Sequence, residues 1–261
     1  MTLSRIVVVM PAYNEAEGIR GFIDELRDSL SPHAAEVVFV VADDRSTDGT
    51  ADALSGLDDV RVETQPQNRG HGPTALAAYR AGLALEPALI VHVDGDGQFL
   101  GPDVAAVVRA QLSTDADVVH GVRRERTDPW YRRALTGSVR LLVAVAVGRG
   151  VPDVNTPLRV YRPAAAQALV GAVPTDAMVP HVHFSLAEVR AGMRVRYVRV
   201  RSIPRRGESA TGTMWGQGAR IALPPQRLRR FALAALAEAW SQSLRPGAPL
   251  RAVRMPSSRV P

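Results

Sequence analysis

Three apolar runs rich in β-branched residues, each ending abruptly in a polar cluster, restrict the folds open to this chain. Val7-Val8-Val9-Met10 leads into Pro11-Ala12-Tyr13-Asn14-Glu15, and Val37-Val38-Phe39-Val40-Val41 leads into the segment from Asp43 to Thr50. Ala88-Leu89-Ile90-Val91-His92-Val93 leads into Asp94-Gly95-Asp96-Gly97-Gln98. Runs that are apolar at every position, rather than at alternate ones, are buried on both faces, as in a parallel sheet flanked by helices. Helical spacing fills the intervals: Phe22, Ile23, Leu26 and Leu30 share one face, and so do Val104, Val107, Val108 and Leu112. The expected class is therefore α/β, with a Rossmann-like, mostly parallel sheet. In open sheets of this kind ligands bind at the carboxyl ends of the strands, which is where all three polar clusters fall.

Asp94-Gly95-Asp96 carries the most chemistry. Two carboxylates one residue apart at a strand end offer hard oxygen ligands to Mg²⁺ or Mn²⁺ carrying a diphosphate, and the glycine between them lets the backbone turn closely. Taken alone the pattern is weak, because Asp and Gly also supply the backbone angles of ordinary turns. Gly70 and Gly72 allow a second loop, Asn68-Arg69-Gly70-His71, to approach a diphosphate, and the helix after Pro73 offers its N-terminus to anions.

Length and composition set bounds. A chain of 261 residues with 46% hydrophobic content can bury one sizeable core. The absence of cysteine excludes structural disulfides and thiolate metal sites. No stretch approaches the ~20 apolar residues that cross a bilayer, and the start lacks a signal-like segment. The expectation is a cytoplasmic protein beginning near Met1. All 32 basic residues are arginine, giving a net charge of +6, and residues 194 to 230 hold ten arginines against the single acid Glu208. Such a segment attracts phosphate or an anionic membrane surface, or is simply a solvated face. Nucleic acid is not expected as a partner, because no recognition motif or aromatic stacking platform accompanies the charge.

Two segments read as membrane-facing or as packed helices. Trp130-Tyr131-Arg132-Arg133 opens a helical stretch through Val147 that is too short in its apolar part to span a bilayer. It can lie in the interface, but packing on the sheet is the favoured reading. After Pro224-Pro225, residues 226–236 form a basic amphipathic helix that suits a peripheral anchor on the inner face of a membrane or an oligomer contact. The organisation expected is a domain over residues 1–222, a helical appendage over 223–244 and a disordered tail over 245–261.

Pro11-Ala12-Tyr13-Asn14-Glu15, the Asp43 to Thr50 segment, Asn68-Arg69-Gly70 and Asp94-Gly95-Asp96-Gly97-Gln98, in this order and spacing, resemble the family 2 glycosyltransferases of the GT-A fold. Within that family the chain looks most like the polyprenyl-phosphate branch, the dolichol-phosphate mannose synthase-like enzymes. Arg205-Arg206-Gly207-Glu208-Ser209 is similar to that branch's Gly-Glu-Ser-Lys segment, with Ala210 in place of the lysine. Arg45 stands where a small glycine often follows the paired aspartates, and Asn155-Thr156-Pro157-Leu158-Arg159 replaces a Ser-Gly-Phe-Arg form.

The resemblance implies an inverting transferase that moves a hexose from a nucleotide sugar, GDP-mannose or UDP-glucose, to a polyprenyl phosphate. It implies Asp94, Asp96 and Gln98 at a divalent metal, Mg²⁺ or Mn²⁺. Nucleotide-sugar contacts are expected from Pro11, Tyr13, Glu15, Asp43, Asp44, Asn68, Gly70, His71, Asp94 and Gly95. Tyr13 would pack on the base, Asp43 or Asp44 would hydrogen-bond base or ribose, and Glu15 would brace that loop. Asp96, Arg205 and Arg206 are the expected catalytic residues, the arginines clamping phosphate. A hydroxyl acceptor would instead require a base, with Asp153, Asp176, His181 and His183 as candidates. A protein that binds nucleotide sugar without turnover is the third reading. His181-Val182-His183 offers two metal ligands without a third, a weak metal signal.

Overall fold

A computed structural model of the protein describes residues 2–124, 130–148, 150–207 and 226–255, with the side chains of 130–136, 138, 142, 227 and 228 outside the description. The elements run β1 (Leu3–Ala12), α1 (Ile19–Leu30), β2 (Ala34–Asp43), α2 (Thr50–Ala53), β3 (Val60–Thr64), α3 (His71–Leu83) and β4 (Leu89–His92). The second half continues with α4 (Gly101–Leu112), β5 (Val118–Arg123), α5 (Trp130–Val147), β6 (Arg159–Tyr161), α6 (Pro163–Ala172), α7 (Pro180–Arg190), β7 (Val195–Val200) and α8 (Gln226–Ala239). One seven-stranded sheet has the order β3-β2-β1-β4-β6-β5-β7. Every pairing is parallel except those of β6, which runs antiparallel to both β4 and β5.

The central strands are buried on both faces, as their unbroken apolar runs require. On β1, Ile6, Val8 and Met10 face a core closed by Phe22, Ile23 and Leu26 of α1 and Val104, Val107 and Val108 of α4. Val7 and Val9 face the opposite core, with Leu76 and Tyr79 of α3, Leu169 of α6 and Phe184 of α7. Each such side chain removed from water contributes about 1.5–3 kcal/mol. The expected α4 face ends one position early: Leu112 is 38% exposed and Gln111 is buried instead. The Gln111 amide donates to the Ala116 carbonyl at 2.5 Å, tying the helix end to the loop before β5.

Several arginines of the basic segment lie on β7, an edge strand paired only with β5. Arg194, Arg196, Arg199 and Arg201 are exposed in or beside it. Arginines along an open edge discourage another strand from pairing there.

Two expectations need correction. The helix from Trp130 packs on α7 rather than on the sheet: Val143 is buried with Val139 and Ala146 against Val182 and Leu186. The tail expected to be disordered from 245 is packed as far as the described residues run, to 255. Pro249–Ala252 forms a short helical turn, and Leu250 and Val253 are buried in the α3–α6–α7 core. The 222/223 boundary falls among residues 208–225, outside the described ones, as do Glu208, Ser209, Ala210 and Pro224-Pro225. The anchors Trp130 to Arg133 have their side chains outside the description.

Between β6, β5 and α7 lies a buried ionic layer that the sequence pattern did not reveal. Arg159, with no solvent exposure, donates through Nε to the Thr156 carbonyl at 3.0 Å and through Nη2 to the Val154 carbonyl at 2.7 Å, the His181 carbonyl at 3.2 Å and Ser185 Oγ at 3.0 Å. Its Nη1 lies 3.3 Å from Glu188 Oε1, which also accepts from Tyr161 at 2.9 Å. His120 Nε2 donates to the other Glu188 oxygen at 3.0 Å.

Burial alone would raise the Glu188 carboxyl, but His120, Arg159 and Tyr161 more than reverse this and hold it at about 2, below its ordinary 4.5. A depressed carboxyl stabilises the fold above the unfolded-state value, and that stabilisation is lost as pH falls through the folded value. Unfolding free energy measured in urea is therefore expected to fall as pH drops from about 4.5 toward 2. Glu188→Ala, which strands Arg159 in the core, is expected to cost about 3–5 kcal/mol at neutral pH.

Candidate active site

The strand order β2-β1-β4 sets the three polar clusters side by side. Ala12 is in register with Asp43, and Val9 with His92. The pairing extends past the strands: Asp44 donates its amide to the Ala12 carbonyl at 2.9 Å, and Gly95 donates to the Pro11 carbonyl at 3.0 Å. Pro11 and Gly95 thus join two of the clusters through their backbones.

The first cluster is a braced turn. Asn14 adopts φ 54° and bridges to the β2 end, its amide donating to Ser46 Oγ and its side-chain oxygen accepting the Thr47 amide, both at 2.9 Å. Glu15 donates its amide to Thr50 Oγ1 at 2.9 Å, and Ala16 donates to Asp48 at 3.0 Å. Tyr13 is half-buried at the start of this turn. Asn14, Ser46, Asp48 and Thr50 fix the loop against its neighbour. Their small oxygen-bearing side chains after a strand were the available signal for that role.

Asp43 and Asp44, expected at the base or ribose, already have protein partners. Asp43 accepts from the amide and hydroxyl of Ser46, closing its own turn. Asp44 accepts the Arg69 amide at 2.7 Å and the Gly70 amide at 2.8 Å, and Asn68 donates its side-chain amide to the Asp44 carbonyl at 3.1 Å. Asp44 therefore shapes the Asn68–Gly70 loop. Gly70, at φ 85°, delivers the chain into α3, which begins at His71, two residues earlier than expected.

At the end of β4, Asp94 and Asp96 stand with few partners. Asp94 Oδ1 is buried and accepts no hydrogen bond, and His71 Nε2 is 3.7 Å from it. Asp96 receives the Gln98 amide at 3.2 Å. Burial first, and the Asp94 charge second, push the Asp96 carboxyl up to about 7, against the opposing pull of the Gln98 amide, Arg205 and His71. Glu15 is raised to about 8, chiefly by burial, with the two aspartates adding to it and Arg205 opposing. The charges of Asp94 and Asp96 thus reach Glu15 across the strand ends. Gln98 contributes its backbone here, its carbonyl accepting the Ile203 amide at 2.9 Å.

The two arginines expected to clamp phosphate are used differently. Arg205 lies against Glu15, with Nε and Nη2 at 2.9 and 2.8 Å from Oε2, and donates to the Asn14 carbonyl at 2.5 Å. It is near enough to Asp96 to lower its carboxyl. Arg206 is committed to the protein. It donates to the Gly97 carbonyl at 3.0 Å and the Phe99 carbonyl at 3.2 Å, pairs with Glu25 at 2.5 Å and lies 4.9 Å above the Phe22 ring. A Cβ on Gly97, at φ 66°, would come within 2.6 Å of Arg206 Cδ, so the loop after Asp96 is moulded around that side chain. Arg206, expected at a ligand phosphate, is thus held by protein groups around this loop.

The candidate bases for a hydroxyl acceptor do not gather here. Asp153 is buried and paired with Arg123 at 2.9 Å, and Asp176 is exposed on a loop before α7. Burial drives the His181 imidazole well below its ordinary value, and its Nε2 meets Tyr79 at 3.3 Å. His183 is bonded to Ser243 and Glu238. Among the described residues no group of three His, Asp or Glu side chains forms a metal cage, and His181 and His183 are core residues. The fit for a divalent cation is instead the pair Asp94 and Asp96. An orphaned buried oxygen beside a like charge suits a cation that takes its remaining ligands from a diphosphate.

An α/β sheet with acidic and amide-lined loops at its carboxyl edge is the architecture of the GT-A glycosyltransferases. The chain belongs to glycosyl transferase family 2, whose model matches residues 7–169. Among curated proteins it is 26% identical over 182 residues to an undecaprenyl-phosphate 4-deoxy-4-formamido-L-arabinose transferase of Proteus mirabilis (strain HI4320), covering 68% of this chain and 55% of that protein. The enzyme of that name from Edwardsiella ictaluri (strain 93-146) is 25% identical over 217 residues, 82% of this chain and 65% of the relative. The chain thus spans roughly half to two thirds of those relatives. Among solved structures, glucosyl-3-phosphoglycerate synthase from Mycobacterium tuberculosis with Mn²⁺, uridine diphosphate and glucosyl-3-phosphoglycerate has TM-score 0.59 and 18% identity, covering 92% of this chain and 79% of that one. The same synthase with Mn²⁺ and UDP-glucose has TM-score 0.57 and 19% identity, covering 92% and 78%. These likenesses show the fold.

A carboxyl raised by the fold reduces stability as pH climbs from its unfolded to its folded value, here from about 3.8 to about 7 for Asp96. Without added metal, Asp96→Asn is expected to melt higher than the parent. The gain should grow between pH 4 and 7 and level off above, as read by calorimetric scans across pH.

Proposed function

We propose that the protein is an inverting hexosyltransferase that uses a nucleotide sugar, a divalent cation and a polyprenyl phosphate acceptor. The observation that carries the reading is the unpartnered Asp94 oxygen beside the raised Asp96 carboxyl at the β4 end. The cost of holding those charges together is recovered when a cation arrives. Asp94 and Asp96 would hold it, with the Gln98 amide orienting Asp96. Bound there, Mg²⁺ or Mn²⁺ supplies charge neutralisation for a departing diphosphate.

The chain's own groups do the rest. Tyr13 and the turns held by Asp43 and Asp44 form the nucleoside side of the site, and the Asn68–His71 loop faces the diphosphate. Arg205, shared between Glu15 and the site, is the cation suited to phosphate, while Arg206 holds the loop after Asp96 in place. In the reaction an ionised phosphate oxygen of the acceptor bonds to the anomeric carbon as the bond to the diphosphate breaks. Configuration inverts and no proton moves, so no base is needed.

That the candidate bases are core-bound, paired with arginine or remote on an exposed loop supports a phosphate acceptor over a hydroxyl one. The names of the curated relatives support it too. So does the outer surface of α5 and α8. Leu141 and Val145 are exposed on α5 and Leu233 on α8, with exposed Trp240 directly after it, and Arg140, Arg229 and Arg230 are exposed on the same two helices, a composition that suits helices resting on an anionic bilayer face. A cavity of about 130 Å³ between α5, α7 and α8 is lined by Val139, Val154, Val182, Phe231 and Leu236. No helix among the described residues is long and apolar enough to cross a membrane. The contact proposed is peripheral and on the inner face, the side whose anionic lipids suit these arginines. The donor proposed first is a uridine sugar, a reading supported by the UDP and UDP-glucose complexes of the structural neighbours, with GDP-mannose second.

The test is nucleotide release from UDP-glucose and GDP-mannose with Mn²⁺ or Mg²⁺, with and without a short polyprenyl phosphate. Release that requires the lipid phosphate, stops with a chelator and falls about 10³-fold in Asp96→Ala is expected, the scale of losing a principal electrostatic contact. Release stimulated by a small hydroxy acid instead of the lipid would replace the acceptor assigned here.

A further inference from the structure

The C-terminal helix is joined to the donor side by a short chain of direct contacts. Glu238, near the end of α8, accepts the Met178 amide at 2.8 and 3.0 Å and the Val179 amide at 3.3 Å, so it caps the N-terminus of α7 from another element. The same carboxylate accepts His183 Nε2 at 2.9 Å, and Ser243 holds His183 Nδ1 at 2.7 Å. The turn that Glu238 pins lies against α3. A Cβ on Gly72 would overlap the carbonyl oxygens of Ala177 and Met178. Gly72 follows His71, whose imidazole lies 3.7 Å from Asp94. Three contacts therefore lead from α8 through the 177–179 turn and the start of α3 to the carboxylate pair.

We infer that Glu238 is a positioning residue for the donor site: by clamping the 177–179 turn it sets where the first turn of α3, with His71 and the Gly70 loop, meets the diphosphate. The inference rests on the donor site lying at the strand ends as proposed above. The backbone contact at Gly72 leaves no slack between turn and helix, so a displaced turn displaces the helix start. Glu238 is suited to the task because burial, which would raise its carboxyl, is outweighed by the His183 and amide hydrogen bonds that hold it below the ordinary range. The clamp is therefore charged at neutral pH, and an ionised acceptor binds amide donors at a helix N-terminus more strongly than a neutral one.

The discriminating control is Ser243→Ala, which loosens the helical segment Trp240–Leu244, directly after α8, from α7 through the same histidine but leaves the 177–179 amides capped. Binding of UDP and of GDP in the presence of Mn²⁺ is measured by titration calorimetry on the full chain, with thermal midpoints recorded in parallel. Glu238→Ala is expected to weaken the nucleotide bound by the parent about 10-fold, the lower range for groups that orient a metal or ligand site through a neighbour. Glu238→Gln, which keeps one amide-accepting oxygen, should recover most of the loss. Ser243→Ala should lower the thermal midpoint while leaving affinity within about 2-fold, a difference under ~0.5 kcal/mol.

Equal affinity in Glu238→Ala and the parent would overturn the inference while leaving the donor site standing. So would an equal loss in Ser243→Ala, which would mark general loosening. A parent that binds neither nucleotide would overturn both readings. Hydrogen exchange on the parent decides the matter should Glu238→Ala fail to fold. Coupling is reciprocal, so nucleotide with Mn²⁺ should slow exchange at the Met178 and Val179 amides, and unchanged rates there would sink the inference.

Discussion

A guanidinium cut off from water must find acceptors for its donors or leave the interior, and Arg159 stays in the interior. Its partners come from the 153–158 loop, from β6 itself and from three positions on α7. These contacts fix the one strand that runs against the direction of the sheet. β6 has only three residues, too few for its ladder bonds to specify its place between β4 and β5. The buried charge supplies that specificity, because any other register would leave Arg159 or Glu188 without its partner. With β6 in place α7 is in place, and with α7 the turn at 177–179 that abuts the start of α3.

The carboxyl edge of β1, β2 and β4 carries the opposite arrangement. There Asp94 keeps a buried oxygen that accepts no hydrogen bond, and both Asp96 and Glu15 resist ionisation, Glu15 even though Arg205 pairs with it. Such strain persists only where the surroundings over-determine it. Here the surroundings are the doubly buried strands β1, β2 and β4, whose apolar faces meet two separate cores, and the hydrogen-bonded turns beyond them. A compensated pair such as Arg159 and Glu188 has no charge left to offer a ligand, whereas an incompletely offset carboxylate pair does.

Much of the donor half could be read in the sequence because its physics is local. Unbroken β-branched runs can be buried only on both faces, and their spacing with intervening helices gives a parallel sheet, as found for β1, β2 and β4. The polar clusters met at one edge for the same reason. What could not be read depends on partners distant in the chain. Asp43 and Asp44 were legible as a polar cluster closing β2 but not as acceptors for Ser46 and for the Arg69 and Gly70 amides. Arg205 and Arg206 are adjacent in sequence and identical in type, yet one faces Glu15 and the other Glu25, Gly97 and Phe99. Glu238, in a helix whose composition suggested a surface role, is engaged by three groups of α7 and the turn before it. Leu250 and Val253, within a segment rich in Pro and Arg, gave no periodic signal because only they and Ala248 are buried among its described residues, at irregular spacing.

The long-range contacts also decide in what sense the carboxylate cluster belongs to the N-terminal half. Glu15 meets its arginine 190 positions further along the chain, and the loop after Asp96 is shaped around Arg206 from the same segment. Closing a loop of that length costs only slowly more than closing a shorter one, since the entropy grows with the logarithm of length. The contact is therefore affordable, but it forms only after β5, β6 and β7 have brought the chain back across the sheet. Residues 1–112 contain Glu15, Asp94 and Asp96 but neither Arg205 nor Arg206. Cut at that point, the N-terminal half would carry these carboxylates with neither the Arg205 charge that offsets them nor the Arg206 side chain that moulds their loop.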